Sequence, residues 1–269
     1  MFDEQFKQQL QTVFAKIEED IQLVYSSSSH PDQNDLLAML TSLAEINPHF
    51  KVVLSSKKSD IPQFEIHYHN KFTGVSFTGI PTGHEFSSLV LALLQTSGQA
   101  KPFEQNILKR VQALRGPIRL QTYISLTCEN CPDVVQALNQ MALAHADFQH
   151  EMIDGAYVQD DVQSLGIQGV PSVVSNNKLV HSGKIQLLDL LTKLESVFGT
   201  DYSAENIQPQ NLGHYDVVVV GGGTAGVSAA IYSVRKGLKT AIIAEKMGGQ
   251  VQDTKGIENF ISVPYTEGP

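Results

Sequence analysis

The sequence predicts an α/β protein, and three observations carry that expectation. Two successive stretches, residues 1–100 and 101–198, each alternate short β-branched or aromatic runs with longer segments whose apolar residues recur at helical spacing. A polar stretch, 199–213, follows them and reads as a linker. The remainder, 214–269, opens on Tyr215 to Val220, expected as a wholly buried strand, and then a glycine-rich turn, the way a parallel strand feeds a helix.

In the first stretch, Phe6, Leu10, Val13, Phe14 and Ile17 predict a helix over 3–17, and Ile21 to Tyr25 a short strand. After the break at Ser26 to Pro31, Leu36, Leu37, Leu40 and Leu43 mark a helix over 32–46. Strands are expected at 51–54, 64–68 and 75–77, and a helix from about Gly83 to Gln95. In the second stretch Ile118, Leu120, Thr122 and Ile124 alternate as a strand. Pro132 opens a helix striped by Val134, Val135, Leu138 and Met141, since proline is tolerated in a first turn. A strand at 148–153, a short helix near 158–165, and strands at 172–174 and 179–180 joined by Asn176-Asn177 come next, with a last helix over 185–197. The order β, α, β, α, β, β, α is that of a thioredoxin fold. The two stretches form a weak repeat, because each has a proline before a strand (Pro62, Pro171), then a hairpin, a glycine (Gly79, Gly183) and an apolar helix. Tandem thioredoxin-like folds are therefore expected, of which the first has no cysteine.

Composition narrows the function. At 269 residues the chain has room for about two domains. Hydrophobic residues at 42% and charged residues at 17% exclude a disordered chain. A net charge of −9, with no basic cluster denser than Lys57-Lys58, argues against nucleic acid as a partner. The longest apolar runs fall far short of the ~20 residues of a membrane span. The start Met1-Phe2-Asp3-Glu4 is acidic and lacks a signal core, so the cytoplasm is the expected compartment and no membrane partner is expected.

The chain has 2 cysteines, Cys128 and Cys131, and a close pair in a reducing compartment is more often catalytic or metal-binding than structural. A thiolate at a helix start is stabilised by unpaired amides and the helix dipole, which lowers its pKa from ~8.5 into the range ~3.5 to 7.5. Cys128 is the expected attacker and Cys131, one turn inside the helix, the resolving thiol. Val170-Pro171, just before a strand, fits the cis proline that faces such a pair. Gly221, Gly223 and Gly226 fit G-x-G-x-x-G between a strand and a helix, and Glu245 ends the next strand, where a carboxylate accepts from ribose hydroxyls. This is the start of a Rossmann-type dinucleotide-binding domain. His67 and His69 share a strand face but lack a carboxylate or thiolate pair nearby, so no metal site is expected.

With those motifs in place, the sequence resembles the flavoprotein component of bacterial alkyl hydroperoxide reductase. The segments that carry the likeness are Thr127-Cys128-Glu129-Asn130-Cys131-Pro132-Asp133, Gly83-His84-Glu85-Phe86, Gly169-Val170-Pro171, Gly221-Gly222-Gly223-Thr224-Ala225-Gly226, Gly248-Gly249-Gln250 and Glu258-Asn259-Phe260. The resemblance implies tandem thioredoxin-like folds tethered to an FAD- and NADH-binding reductase body that reduces a peroxiredoxin, and a homodimer when intact. It makes Cys128 and Cys131 the dithiol that reduces the peroxiredoxin, with Pro171 shaping the docking groove. Glu85 becomes an acid that assists proton transfer near the dithiol; a helix-start charge favoured by the dipole is the other reading. Gly221, Gly223, Thr224, Ala225, Gly226 and Glu245 match the FAD-binding turn and ribose acceptor, and Gly248, Gln250 and Asn259 residues near the flavin.

The family's second cysteine pair and its NADH motif have no counterpart in 214–269, so the sequence reads as the N-terminal portion of a longer reductase with an incomplete FAD-binding domain. The expected function is a disulfide oxidoreductase passing electrons from NADH through FAD and Cys128/Cys131 to a peroxiredoxin. A peroxiredoxin-docking module without turnover is the alternative.

Overall fold

The computed structural model describes residues 3–201, 211–244, 246–253, 256–257 and 265–267. The chain divides into two compact units, Met1–Ser203 and Ala204–Pro269. The first holds α1 (Glu4–Phe14), β1 (Ile21–Ser27), α2 (Gln33–Ile46), β2 (Phe50–Lys58), β3 (Gln63–Tyr68), β4 (Lys71–Thr78) and α3 (Phe86–Thr96). It continues with α4 (Gln105–Gln112), β5 (Ile118–Ile124), α5 (Cys131–Ala144), β6 (Phe148–Asp154), α6 (Gln159–Ser164), β7 (Ser172–Ser175), β8 (Lys178–Ser182) and α7 (Leu187–Phe198).

The expected repeat appears as one continuous sheet of order β2-β1-β3-β4-β6-β5-β7-β8. Each half has the same internal arrangement: two parallel strands, β1 with β2 and β5 with β6, then an antiparallel partner and its hairpin mate. The halves join where β4 pairs in parallel with β6, from Val75 opposite His150 to Thr78 opposite Ile153. Period-two alternation then decides which face is dry. Leu23, Ile66, Phe77, Leu120, Met152 and Val173 are fully or almost fully buried and share one core with Leu40, Leu89, Val135 and Leu191 of the helices. Their strand neighbours Gln22, Glu65, Ser76, Gln121 and Glu151 point the other way, where Gln121 and Thr78 donate to the Glu151 carboxylate. Burial of more than thirty apolar side chains in one core, at about 1.5 to 3 kcal/mol each before the entropy cost of ordering the chain, makes this unit a single folding body.

Matching contacts mark the repeat. Gly79 N donates to Pro62 O and Gly183 N to Pro171 O, each at 2.8 Å, and the two glycines have φ of +96° and +92°. Asn176 and Asn177 both take positive φ, as a two-residue hairpin turn requires.

Three expectations for this unit are corrected. Helix α4 has no counterpart among the expected elements, because eight residues with little besides Ile107, Leu108 and Val111 carry too short a period to read. The 199–213 linker starts later: Arg115 N donates to Gly199 O, Leu114 bridges Thr200, and Arg115 pairs with Asp201, so 199–201 belong to the first unit, while 202–210 lie outside the described residues. His69 does not share a strand face with His67; it sits in the β3–β4 turn with φ +49°.

In the second unit, β9 (Val217–Val220), α8 (Thr224–Arg235) and β10 (Thr240–Ile243) form a strand-helix-strand with β9 and β10 parallel, and a short antiparallel pair, β11 (Gly256–Ile257) and β12 (Thr266–Glu267), follows. The strand ending at Val220 is not wholly buried as expected. Val218 is 51% and Val220 82% exposed, because a two-stranded sheet with one helix covers only alternate side chains. Among the described residues no helix is long and apolar enough to cross a membrane.

Candidate active site

Strand β5 delivers the chain to Ile124, and a turn closed by Cys128 N donating to Ser125 O at 2.9 Å swings Cys128 to the rim of the sheet. Asn130 stands at the N-cap position of α5 without a side-chain capping bond, and the first residue of α5 is Cys131, with Pro132 in the first turn where no amide is needed. Cys128 and Cys131 form a disulfide with Cα atoms 5.5 Å apart, so the site is seen oxidised. Cys131 is fully buried and Cys128 half-buried, which leaves the first sulfur the reachable one. Facing them, the Val170-Pro171 bond is cis and the Val170 carbonyl oxygen stands 3.8 Å from Cys128 Sγ. Pro171 is itself buried. The structure thus brings Cys128, Cys131 and Pro171 together.

Glu85 ends the 3-10 turn Gly83–Glu85 that leads into α3. Gly83 takes φ +56°, and a Cβ there would meet the Leu126 carbonyl oxygen at 2.6 Å; His84 N donates to that same oxygen at 3.2 Å. The turn is thereby pinned to the loop that carries Cys128. Gln136 of α5 reaches back to the Ser87 and Ser88 hydroxyls. The Glu85 side chain is fully buried, neither carboxylate oxygen has a well-formed hydrogen bond, and it does not cap α3. Burial pushes its carboxyl up to about 7, with the nearby Ser88 hydroxyl pulling the other way.

Sequence reasoning missed a buried polar chain beneath the site. His150 on β6 lies between Thr122 Oγ1 on β5 and Asn139 Oδ1 on α5, each at 2.7 Å. Because the Asn139 oxygen only accepts, His150 Nδ1 carries the proton and Nε2 accepts from Thr122. Burial lowers the His150 pKa to about 3, so the ring is neutral and locks the dithiol helix to two strands. His67 and His69 pair with Glu65 and Glu19, and among the described residues no group of three or more His, Cys, Asp or Glu is arranged to hold a metal.

In the second unit Gly221 has φ +113° and Gly223 N-caps α8. A Cβ on Gly226 would collide with the Gly221 carbonyl oxygen, whereas one on Gly223 would meet nothing within 4 Å. The turn is therefore tight where strand and helix touch and open where a pyrophosphate must approach the helix start, and it fits a dinucleotide. Thr224 and Ala225 are the first two residues of α8; Gly248 N donates to Gly222 O at 2.8 Å, closing the loop after β10. Glu245 and Asn259 lie outside the described residues, and of Gln250 only the backbone is described.

A sheet with a dithiol at a helix start opposite a cis proline, followed by a nucleotide-type turn, defines a disulfide oxidoreductase of thioredoxin type. Comparison with known proteins agrees. Residues 119–196 match the Thioredoxin domain family, and 215–267 the Pyridine nucleotide-disulphide oxidoreductase family. Across 100% of its length the chain is 44% identical to a Bacillus subtilis protein named NADH dehydrogenase and covers 52% of it. It is 42% identical, again over 100% of its length, to the F component of alkyl hydroperoxide reductase (AhpF) of Staphylococcus epidermidis, covering 51%. The crystal structure of the N-terminal domain of AhpF from Enterococcus faecalis superposes with a TM-score of 0.67 at 26% identity, over 72% of this chain and 100% of that one. The chain is similar to these proteins along its whole length, and spans about half the length of the curated relatives it matches.

Proposed function

We propose that this chain is the peroxiredoxin-facing half of an NADH-dependent alkyl hydroperoxide reductase. The observation that carries the reading is the asymmetry of the dithiol: a reachable Cys128, a buried Cys131, and a fully buried Glu85 on a turn fixed to the same loop. In the reduced state the Cys128 thiolate, held by the start of α5, attacks one sulfur of the peroxiredoxin disulfide. A mixed disulfide forms and one peroxiredoxin thiolate leaves. Glu85, with its carboxyl near neutrality, takes the Cys131 proton. Cys131 then attacks Cys128 Sγ, the mixed disulfide breaks, and the second peroxiredoxin thiolate departs and is protonated. Two electrons and the single Cys131 proton, relayed by Glu85 to the second departing sulfur, have moved to the partner, the first sulfur having left as a thiolate, and Cys128–Cys131 is a disulfide again.

FAD, when bound, would supply the two electrons, drawn from NADH, that reopen that disulfide by way of the second cysteine pair that the resemblance implies. Gly221, Gly223, Thr224, Ala225 and Gly226 would hold its pyrophosphate by backbone amides, and the resemblance assigns Glu245 to its ribose and Gly248, Gln250 and Asn259 to the neighbourhood of its ring. The intact reductase is a homodimer in this reading.

The test uses the 1–269 chain, reduced with a phosphine and freed of it, then mixed with an oxidised two-cysteine peroxiredoxin. One peroxiredoxin disulfide is reduced per chain. Cys128→Ser abolishes transfer, and Cys131→Ser accumulates a mixed disulfide through Cys128. Transfer that survives Cys128→Ser, or a mixed disulfide through Cys131, overturns the assignment.

A further inference from the structure

The dithiol loop of the second repeat has a thiol-free counterpart in the first. Gln33 is the first residue of α2 as Cys131 is of α5, and His30 precedes Gln33 by the same interval as Cys128 precedes Cys131. His30-Pro31-Asp32-Gln33 thus stands where the cysteine motif stands. Since β1 runs parallel to β4, β6 and β5, both loops lie on the same rim of the sheet.

What occupies the first loop is a residue of the second repeat. Tyr157, at the end of the turn after β6, donates its hydroxyl to Asp32 Oδ2 at 2.8 Å, and its ring meets the His30 ring edge-on with centroids 5.2 Å apart. The Cδ2–Cε2 edge of the Tyr157 ring lies close over Gly79, where a Cβ would come within 3.2 Å of those two ring carbons and 2.9 Å of the Asp154 Cβ. Gly79 is the root of the segment that runs through Ile80 and Pro81 to Glu85. That segment is held at its far end by the Leu126 carbonyl; at its near end Gly79 N donates to Pro62 O and the Tyr157 ring leaves no room for a side chain.

We infer that Tyr157 is a positioning residue: gripped by Asp32 and His30, it fixes the root of the 79–85 segment and so keeps the Glu85 carboxylate closed in against α5. The inference takes its functional meaning from the reading of Glu85 above. In this arrangement the thiol-free loop of the first repeat anchors the dithiol site of the second.

The experiment follows the Glu85 carboxyl carbon by NMR titration in the oxidised 1–269 chain. Tyr157→Phe keeps the ring and loses the hydroxyl, Asp32→Ala removes the acceptor, and Asp32→Asn keeps an oxygen that accepts. His84 beside Glu85, Glu129 on the cysteine loop and Asp133 on α5 are exposed, and Asp154, whose pKa is raised by burial, lies beside Gly79; all four are identical in all variants. Tyr157→Phe and Asp32→Ala are expected to let water reach the carboxylate and lower its midpoint by about one pH unit or more, while Asp32→Asn restores it. A midpoint unmoved in both Tyr157→Phe and Asp32→Ala overturns the inference. A midpoint that moves while the rate of transfer to peroxiredoxin stays constant upholds the positioning and overturns instead the role of Glu85 as proton acceptor.

Discussion

Replacing Glu85 by Gln should make the protein more stable at alkaline pH and leave it almost unchanged in acid. The carboxyl is fully buried without a well-formed hydrogen bond, and burial, only partly offset by the Ser88 hydroxyl, raises its pKa from 4.5 to about 7. Between those values the folded chain holds a proton that the unfolded chain has lost, so stability falls as pH rises through the window. At about 1.4 kcal/mol per pH unit the full penalty is on the order of 3 kcal/mol, complete above pH 7 and absent below pH 4.5. Gln carries no such charge, and any constant cost of burying its amide cancels when the two proteins are compared across pH. The assay is urea unfolding by far-ultraviolet circular dichroism at several values from pH 4.5 to 8.5, since the chain has no tryptophan. The stability difference, Gln variant minus parent, should climb by about 3 kcal/mol over that range. A difference that stays flat would show that Glu85 is ionised at an ordinary pKa, and the proton-acceptor role would lose its basis.

His150 should show the opposite slope. Its pKa is lowered from 6.5 to about 3, so the unfolded chain gains a proton first and stability is lost as pH falls through that window, by up to about 5 kcal/mol. His150→Gln is expected to lose about 2 kcal/mol at pH 7 with the bonds to Thr122 and Asn139, and to abolish that acid-side slope; urea midpoints from pH 3.5 to 7 that keep the parental slope would contradict the neutral-ring assignment. In the second unit, Gly226→Ala should disrupt the β9–α8 turn because the new methyl meets the Gly221 carbonyl, whereas Gly223→Ala should leave amide exchange in α8 unchanged. Equal loss of protection in both variants would mean that the turn is not the tight contact described.

What the sequence makes legible is whatever has a short period or a fixed spacing. The strand over Ile118 to Ile124 is readable from alternation alone, and the cysteine pair from its interval and the proline behind it. The chemistry assembled from distant positions is not. His150, Thr122 and Asn139 come from three elements, and Tyr157 meets Asp32 across 125 residues; nothing local distinguishes any of them from an ordinary polar residue. Glu85 shows where the boundary falls. At the start of an apolar helix an acid reads equally as a charge favoured by the dipole or as a functional group, because both readings place it at the same point in the chain. What separates the two placements is the left-handed Gly83, whose missing Cβ lets the turn sink onto the Leu126 carbonyl, so that the next acid is buried instead of facing water. A glycine two residues upstream is visible in the sequence, but the carbonyl that makes it necessary belongs to the other repeat, and only the joined sheet brings the two together.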